Sequence, residues 1–185
     1  LLLLERIILN YMQHLSGIAT TTSSYVELVK ETKAKIFDTR KTTPMLRQLQ
    51  KYAVTCGGGY NHRLSLDSGI LIKDNHIAIC GGITKAIQRA KQYSPHYTRI
   101  EIECDTLEQV KESLLSGADI IMLDNMSPEQ IHEAVKLIDN RAIIEASGNV
   151  SLNTVKSIAE AGVDVISVGR ITHSSTSVDI GLDII

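Results

Sequence analysis

The chain has 185 residues, 43% of them apolar and 22% charged, with a formal net charge of −2. Those values suit one ordinary globular domain and exclude the basic field that general nucleic-acid binding requires. Aromatic residues make up 4%, with no tryptophan, so there is no base-stacking platform. No apolar run approaches the ~20 residues of a membrane span.

Leu1 to Leu4 look like the start of a signal sequence. Glu5 and Arg6 follow at once, however, with no basic segment before and no small-residue cleavage site after. The chain reads as opening inside a helix, which predicts that the natural protein extends upstream. Cys56, Cys80 and Cys104 are odd in number, far apart and without zinc-ligand spacing. They predict buried, inert thiols in a reducing compartment, and the missing targeting signals predict a cytoplasmic location.

Residues 38–76 hold most of the special chemistry. Asp38 to Pro44 reads DTRKTTP, Gly57 to Arg63 reads GGGYNHR, and Leu71 to His76 reads LIKDNH. Arg40, Lys41, Arg47, Lys51, Arg63 and Lys73 outnumber Asp38, Asp67 and Asp74, in a protein that is acidic overall. Basic side chains among glycines and hydroxyls suit a polyanionic small molecule. Arg offers a planar fork, Lys a mobile charge, and glycine lets backbone N–H groups approach.

Ile36–Phe37 and Gly69–Ile72 are weak strand candidates, and Lys85–Tyr93 is a helix. Beyond them, RIEIEC (99–104), DIIML (119–123), AIIEA (142–146) and DVISV (164–168) recur at nearly constant spacing. Short continuous apolar runs predict strands buried on both faces of a parallel sheet. The helices between present Leu107, Val110, Leu114 and Leu115; then Ile131, Val135 and Ile138; then Leu152, Val155, Ile158 and Ala159. Ser127 with Pro128 and Gln130 predicts a capping box, and Gly117 and Gly162 predict helix ends. The result is six or seven βα units, enough to close or nearly close a barrel, with no second domain in the chain.

In such a barrel the active site lies at the C-terminal mouth of the strands. Strand ends here lead into Asp38-Thr39-Arg40-Lys41, Lys73-Asp74-Asn75, Asp124-Asn125, Glu145-Ala146-Ser147-Gly148 and Gly169-Arg170. Glu101 and Glu103 fall on one side of their strand. Two ionised carboxylates inside a barrel are costly, so one is expected to pair with a structural Arg or Lys. Glu103, nearer the strand's end, is the better functional candidate. Ser147-Gly148 and Gly169 suit a phosphate pocket of backbone N–H groups. Each feature also has a plainer reading: solvated loops for Arg40 and Lys41, a surface ion pair for Arg63, snorkelling for Lys73, loop histidines for His62 and His173, and loop geometry for the glycines. Together they describe transfer from a phosphorylated sugar to an anionic acceptor.

At these residues the chain resembles the C-terminal domain of quinolinate phosphoribosyltransferase, the carboxylating nicotinate-nucleotide pyrophosphorylase family. The resemblance runs over essentially the whole chain: Glu5-Arg6 with Leu9-Asn10, Ser16 to Thr20, the three motifs above, Glu101 and Glu103, Leu123 to Asn125, Glu145 to Gly148, and Val168-Gly169 with Thr172 to Ser174. It implies an open seven-stranded α/β barrel, preceded in the family by an α/β sandwich domain that this chain lacks. It implies quinolinate and phosphoribosyl pyrophosphate as substrates, Mg²⁺ as cofactor, and a homodimer or larger assembly in which a neighbouring subunit's sandwich domain supplies an Arg. By resemblance, Arg40, His62 and Arg63 hold the quinolinate carboxylates, and Lys73 bridges towards the donor. Thr39 and Lys41 line the donor pocket, and Glu103 and Asp124 meet the ribose hydroxyls and Mg²⁺. Ser147, Gly148, Asn149, Gly169 and His173 bind phosphate. Lys73, Glu103 and Asp124 are the residues expected to act in catalysis.

Two residues depart from the family's pattern: Arg170 follows Gly169 where a small residue is usual, and Asn149 stands where a second glycine is common. Two rivals keep the same fold. One is an aldolase with Lys73 as Schiff base, which needs a desolvated lysine. The other is a non-catalytic anion-binding protein related to molybdate handling, which would be expected to have lost Glu103, Asp124 or the Asn61 to Arg63 set.

Overall fold

The computed structural model describes residues 3–183. Six strands are present among them: β1 (Lys35–Phe37), β2 (Ile70–Ile72), β3 (Ile100–Cys104), β4 (Ile120–Asp124), β5 (Ile143–Ser147) and β6 (Val165–Ser167). All pair in parallel, in the order β1-β6-β5-β4-β3-β2. Residues from all six line one central cavity, so the sheet curls into an open barrel with its gap between β1 and β2.

The period of two sorts the strand side chains. Ile36, Ile102, Ile121, Leu123, Ile144, Ala146 and Ile166 face outward and are buried under helices. Glu101, Ile120, Ile143, Glu145 and Val165 face the barrel interior. Apolar residues at alternate positions of each strand thus hold the helical layer, which leaves the positions between them free to carry polar chemistry.

Helix α1 (Glu5–Val29) lies against β1 and against α2 (Arg47–Cys56), α7 (Val155–Glu160) and α8 (Arg170–His173). Helices α3 (Asp74–Cys80), α4 (Ile83–Tyr93), α5 (Leu107–Leu115) and α6 (Pro128–Ile138) complete the order. Helix α6 starts as expected: Ser127 Oγ accepts from the Gln130 amide at 3.3 Å, and Gln130 Oε1 accepts from the Ser127 amide at 2.9 Å. Gly117 and Gly162 take φ of 75° and 101°, as helix-ending residues do. No described helix is long and apolar enough to cross a membrane.

Several expectations change. Six strands stand where seven were expected. At the seventh position a single bridge joins Phe37 to Tyr60, because Asn61 and His62 turn inward to bond Asp38 and end the pairing. Leu115 is 85% exposed and leaves the apolar face of α5, and Leu152 precedes α7 and is also exposed. All three thiols are free, but only Cys104 is buried; Cys56, at the end of α2, is exposed. Burial pushes the Cys104 thiol up to about 11.

Candidate active site

A cleft of about 540 Å³ opens at the C-terminal mouth of the barrel. Eleven of the thirteen expected ligand-binding residues line it: Thr39, Arg40, Lys41, His62, Arg63, Lys73, Glu103, Asp124, Ser147, Gly148 and Asn149. The other two, Gly169 and His173, line an adjoining pocket of about 340 Å³ that shares Thr39, Lys41 and residues 147–149. The expected site is therefore one two-lobed depression, assembled from residues far apart in the chain.

The cationic side is built on a buried ion pair. Asp38 and Lys51 bond to each other, with side chains 0% and 4% exposed. Asp38 Oδ1 also accepts from the His62 amide at 2.8 Å, and Lys51 Nζ donates to the His62 carbonyl at 2.9 Å. Asn61, with its amide nitrogen turned towards them, donates to Asp38 Oδ2 at 2.6 Å and to the Lys51 carbonyl at 3.0 Å. Arg47 donates to Thr42 Oγ1 and to the Arg40 carbonyl at 2.9 and 3.2 Å. Lys51 and Arg47 therefore hold loops and do not bind anions. Their charges counted towards the basic excess in the sequence; their positions remove them from the cleft.

Arg40, Lys41, Arg63 and Lys73 remain as the cleft's cations. Arg40 Nε is buried without a hydrogen-bond partner, a donor left for an incoming acceptor. Arg63 donates to the Gly69 carbonyl at 2.7 Å, which leaves part of its fork free. Burial first, then the charge of Arg40, lowers the Arg63 guanidinium, with Glu101 opposing. An anion placed between the two guanidinium groups would offset that cost.

On the opposite wall Lys73 pairs with Glu103 across β2 and β3. Asp124 is raised by burial, then by the charges of Glu103 and Asp105, with Lys73 opposing. Carboxylates that repel one another in a half-buried pocket suit a divalent cation or sugar hydroxyls. The Lys73 side chain is 46% exposed and already paired, which is not the desolvated lysine that Schiff-base chemistry needs.

The adjoining pocket is formed largely by short side chains and glycine. A Cβ on Gly169 would meet Lys41 Cδ, His173 Nε2 and Thr39 Oγ1 at 3.3 to 3.5 Å, so these three groups converge on one point. Thr172 Oγ1 donates to the Lys41 carbonyl at 2.7 Å and ties the two loops together. Arg170 borders this pocket. It also sits against the buried Tyr25, whose phenol burial raises and Arg170 lowers.

Below the cleft lies a cluster the sequence did not reveal. Glu101 pairs with no Arg or Lys: His62 Nε2 stands 3.3 Å from Glu101 and 3.5 Å from Glu145, whose Oε1 accepts from Ser167 Oγ at 2.6 Å. Burial alone would lower the imidazole, but the two carboxylates outweigh it and raise it to about 10. The Arg63 amide lies 2.9 Å from His62 Nδ1 and opposes a proton there, so the ring's first proton sits on Nε2. These three side chains bring ligand atoms within 4.8 Å of one another, and a metal there would have to displace that proton. Glu145 was expected only as part of a strand-end motif. The strand register places it level with Met122 of β4 and, beyond that, Glu103 of β3, but only the loop that carries His62 shows why it is tolerated.

Gly57 to Gly59, expected to approach a ligand, do something else. A Cβ on Gly57 would fall 2.4 Å from the Ala19 carbonyl oxygen, and one on Gly59 would fall 2.7 Å from Thr22 Cγ2. They let the end of α2 pack against α1 and take no part in the cleft.

Comparison with known proteins agrees with this geometry. Residues 18–183 match the family model described as "Quinolinate phosphoribosyl transferase, C-terminal domain". A probable carboxylating nicotinate-nucleotide pyrophosphorylase of Bacillus subtilis is 48% identical over 97% of this chain and 62% of its own length. The carboxylating nicotinate-nucleotide pyrophosphorylase of Mycobacterium leprae is 47% identical over all of this chain and 66% of its own. The crystal structure of the nicotinate-nucleotide pyrophosphorylase of Ehrlichia chaffeensis superposes with a TM-score of 0.94 at 52% identity, covering 97% of this chain and 65% of that one. The chain thus spans less than two thirds of these relatives. Its parallel α/β barrel, its strand-end cleft and near half identity over its whole length place it, plainly, in the quinolinate phosphoribosyl transferase C-terminal domain family.

Proposed function

We propose that this chain is the catalytic barrel of an enzyme that transfers phosphoribosyl from phosphoribosyl pyrophosphate to quinolinate. The products are nicotinate mononucleotide, pyrophosphate and CO₂, in de novo NAD biosynthesis. The observation that carries the reading is the gathering of all thirteen expected residues around one two-lobed cleft, cationic at one wall and acidic at the other.

Arg40 and Arg63 hold the two carboxylates of quinolinate; the buried, unpartnered Arg40 Nε supports this. His62, with both ring nitrogens engaged, forms the floor beneath the acceptor. Clamping both carboxylates aims the pyridine nitrogen at the anomeric carbon. Thr39, Lys41, Ser147, Gly148, Asn149, Gly169 and His173 seat the donor's phosphate groups. Lys73 sits between acceptor and donor, where its charge steadies the departing pyrophosphate. Glu103 and Asp124 face the ribose and favour the positive charge that develops there as the pyrophosphate leaves. They are also the residues that would hold Mg²⁺, and their crowded charges fit that ion. When bound, Mg²⁺ neutralises charge on the pyrophosphate. Once ribosylated, the ring nitrogen is cationic and stabilises the electron pair left on the adjacent ring carbon when its carboxylate departs as CO₂; that carbon then takes a proton from water. No protein nucleophile is needed.

The remaining parts of this reading concern the longer protein. They are an upstream α/β sandwich domain, a homodimer or larger assembly in which a neighbouring subunit supplies an Arg, a seventh strand at the Tyr60 bridge, and a cytoplasmic location.

The test is calorimetry of the chain with quinolinate and with nicotinate, alongside CO₂ release with phosphoribosyl pyrophosphate and Mg²⁺. Quinolinate binding well above nicotinate is the expected result. A folded chain that binds neither, also when extended upstream, would sink the proposal.

A further inference from the structure

Asn125 follows Asp124 at the end of β4 and has no role in the reading above. Its single side chain makes two bonds in opposite directions. Asn125 Nδ2 donates to Asp124 Oδ2 at 2.7 Å, and Asn125 Oδ1 accepts from Asn149 Nδ2 at 3.0 Å. Its backbone amide donates to the Ser147 carbonyl at 3.0 Å. Asn125 and Asn149 both take left-handed backbone, φ 54° and 49°, a conformation asparagine enters more readily than most residues. Between them Gly148 has φ 89°, and a Cβ there would fall 2.2 Å from Asn125 Oδ1. The side chain of Asn125 therefore fills the space that glycine leaves at 148. The loop from Ser147 to Asn149 is held against it, not free over the pocket.

We propose that Asn125 is a positioning residue that latches the phosphate-binding loop at 147–149 to the carboxylate of Asp124, with Asn149 as the other half of the latch. This inference rests on the reading of the site given above. Through the latch, a phosphate group seated on the loop and a cation held by Asp124 act on one rigid unit, so each strengthens binding of the other. Asn149 contributes to this latch through its side-chain amide.

The experiment is calorimetry of this chain with ribose 5-phosphate, with and without Mg²⁺, and with Mn²⁺ alone. In the unaltered protein Mg²⁺ strengthens ribose 5-phosphate binding. Asn125→Ala weakens ribose 5-phosphate about five- to tenfold, the worth of one or two hydrogen bonds, and weakens Mn²⁺ as well. It also abolishes the effect of Mg²⁺. Asn149→Ala removes the same bond from an exposed side chain, so folding is not at stake. It weakens ribose 5-phosphate and leaves Mn²⁺ unchanged. The double variant is no weaker than Asn125→Ala, because the two changes delete one interaction. Equal ribose 5-phosphate affinity in the variants, or a Mg²⁺ effect that survives Asn125→Ala, overturns the latch and leaves the reading of the site intact. Failure of the unaltered chain to bind ribose 5-phosphate overturns both.

Discussion

Asp38 and Lys51 form an ion pair sealed beneath the cleft, and the His62 backbone bonds to both of its members. The first residue of the DTRK motif is thus a structural anchor for the next motif along the chain. Lys51→Ala leaves the Asp38 carboxylate buried and unpaired, which is expected to cost about 3–5 kcal/mol of stability. Urea unfolding at neutral pH measures this; a loss below about 1 kcal/mol would show that the pair behaves as an exposed one.

Arg63 and Arg40 face the same space, and burial and the Arg40 charge make the Arg63 charge costlier without an anion. Arg63→Ala should weaken quinolinate binding by about 10- to 100-fold, the range of a charge-assisted bond lost from a partly buried site. The preference for quinolinate over nicotinate should shrink with it. Calorimetry with the two acids decides the matter, and an unchanged preference would move dicarboxylate recognition elsewhere.

Lys73 is nearly half exposed and, among the described residues, its ion pair is with Glu103, so its removal costs the fold little. Lys73→Ala is expected to abolish turnover, measured as CO₂ release, in the protein extended upstream. Its thermal midpoint should stay close to that of the unaltered protein. Retained rate would remove Lys73 from the transfer step.

Gly57 packs where a methyl group would overlap the Ala19 carbonyl. Gly57→Ala should destabilise the protein by about 1–3 kcal/mol through overpacking, with ligand affinity unchanged in the folded fraction. A loss of affinity at unchanged stability would return the glycine run to the binding site.

His62 holds its proton more tightly folded than unfolded, from an ordinary value of 6.5 up to about 10. A group raised in this way contributes stability fully below pH 6.5, and that contribution fades as the pH climbs to about 10. The midpoint difference between the unaltered protein and His62→Asn should therefore narrow across that window. A difference independent of pH would mean that the Arg63 amide at Nδ1 keeps the ring neutral throughout.

Much of this protein is legible in its sequence, for local reasons. The alternating β and α patterns depend on side-chain period, and the Ser127 capping box and the glycines at 117 and 162 depend on backbone geometry within a few residues. The polar strand ends follow from the same logic, because a parallel barrel presents every strand's C-terminal end at one mouth. Two kinds of fact depended on residues distant in the chain. Which charges face solvent, ligand or one another required the fold: Lys51 and Arg47 look like anion binders in the sequence and are loop anchors in space. The meeting of His62, Glu101 and Glu145 joins a loop to two strands, at residues 62, 101 and 145, and no spacing rule connects them. The single bridge at Tyr60, where a seventh strand was expected, has a related reason. Past Tyr60, Asn61 and His62 bond Asp38 and Lys51, and only the tertiary structure brings those partners within reach.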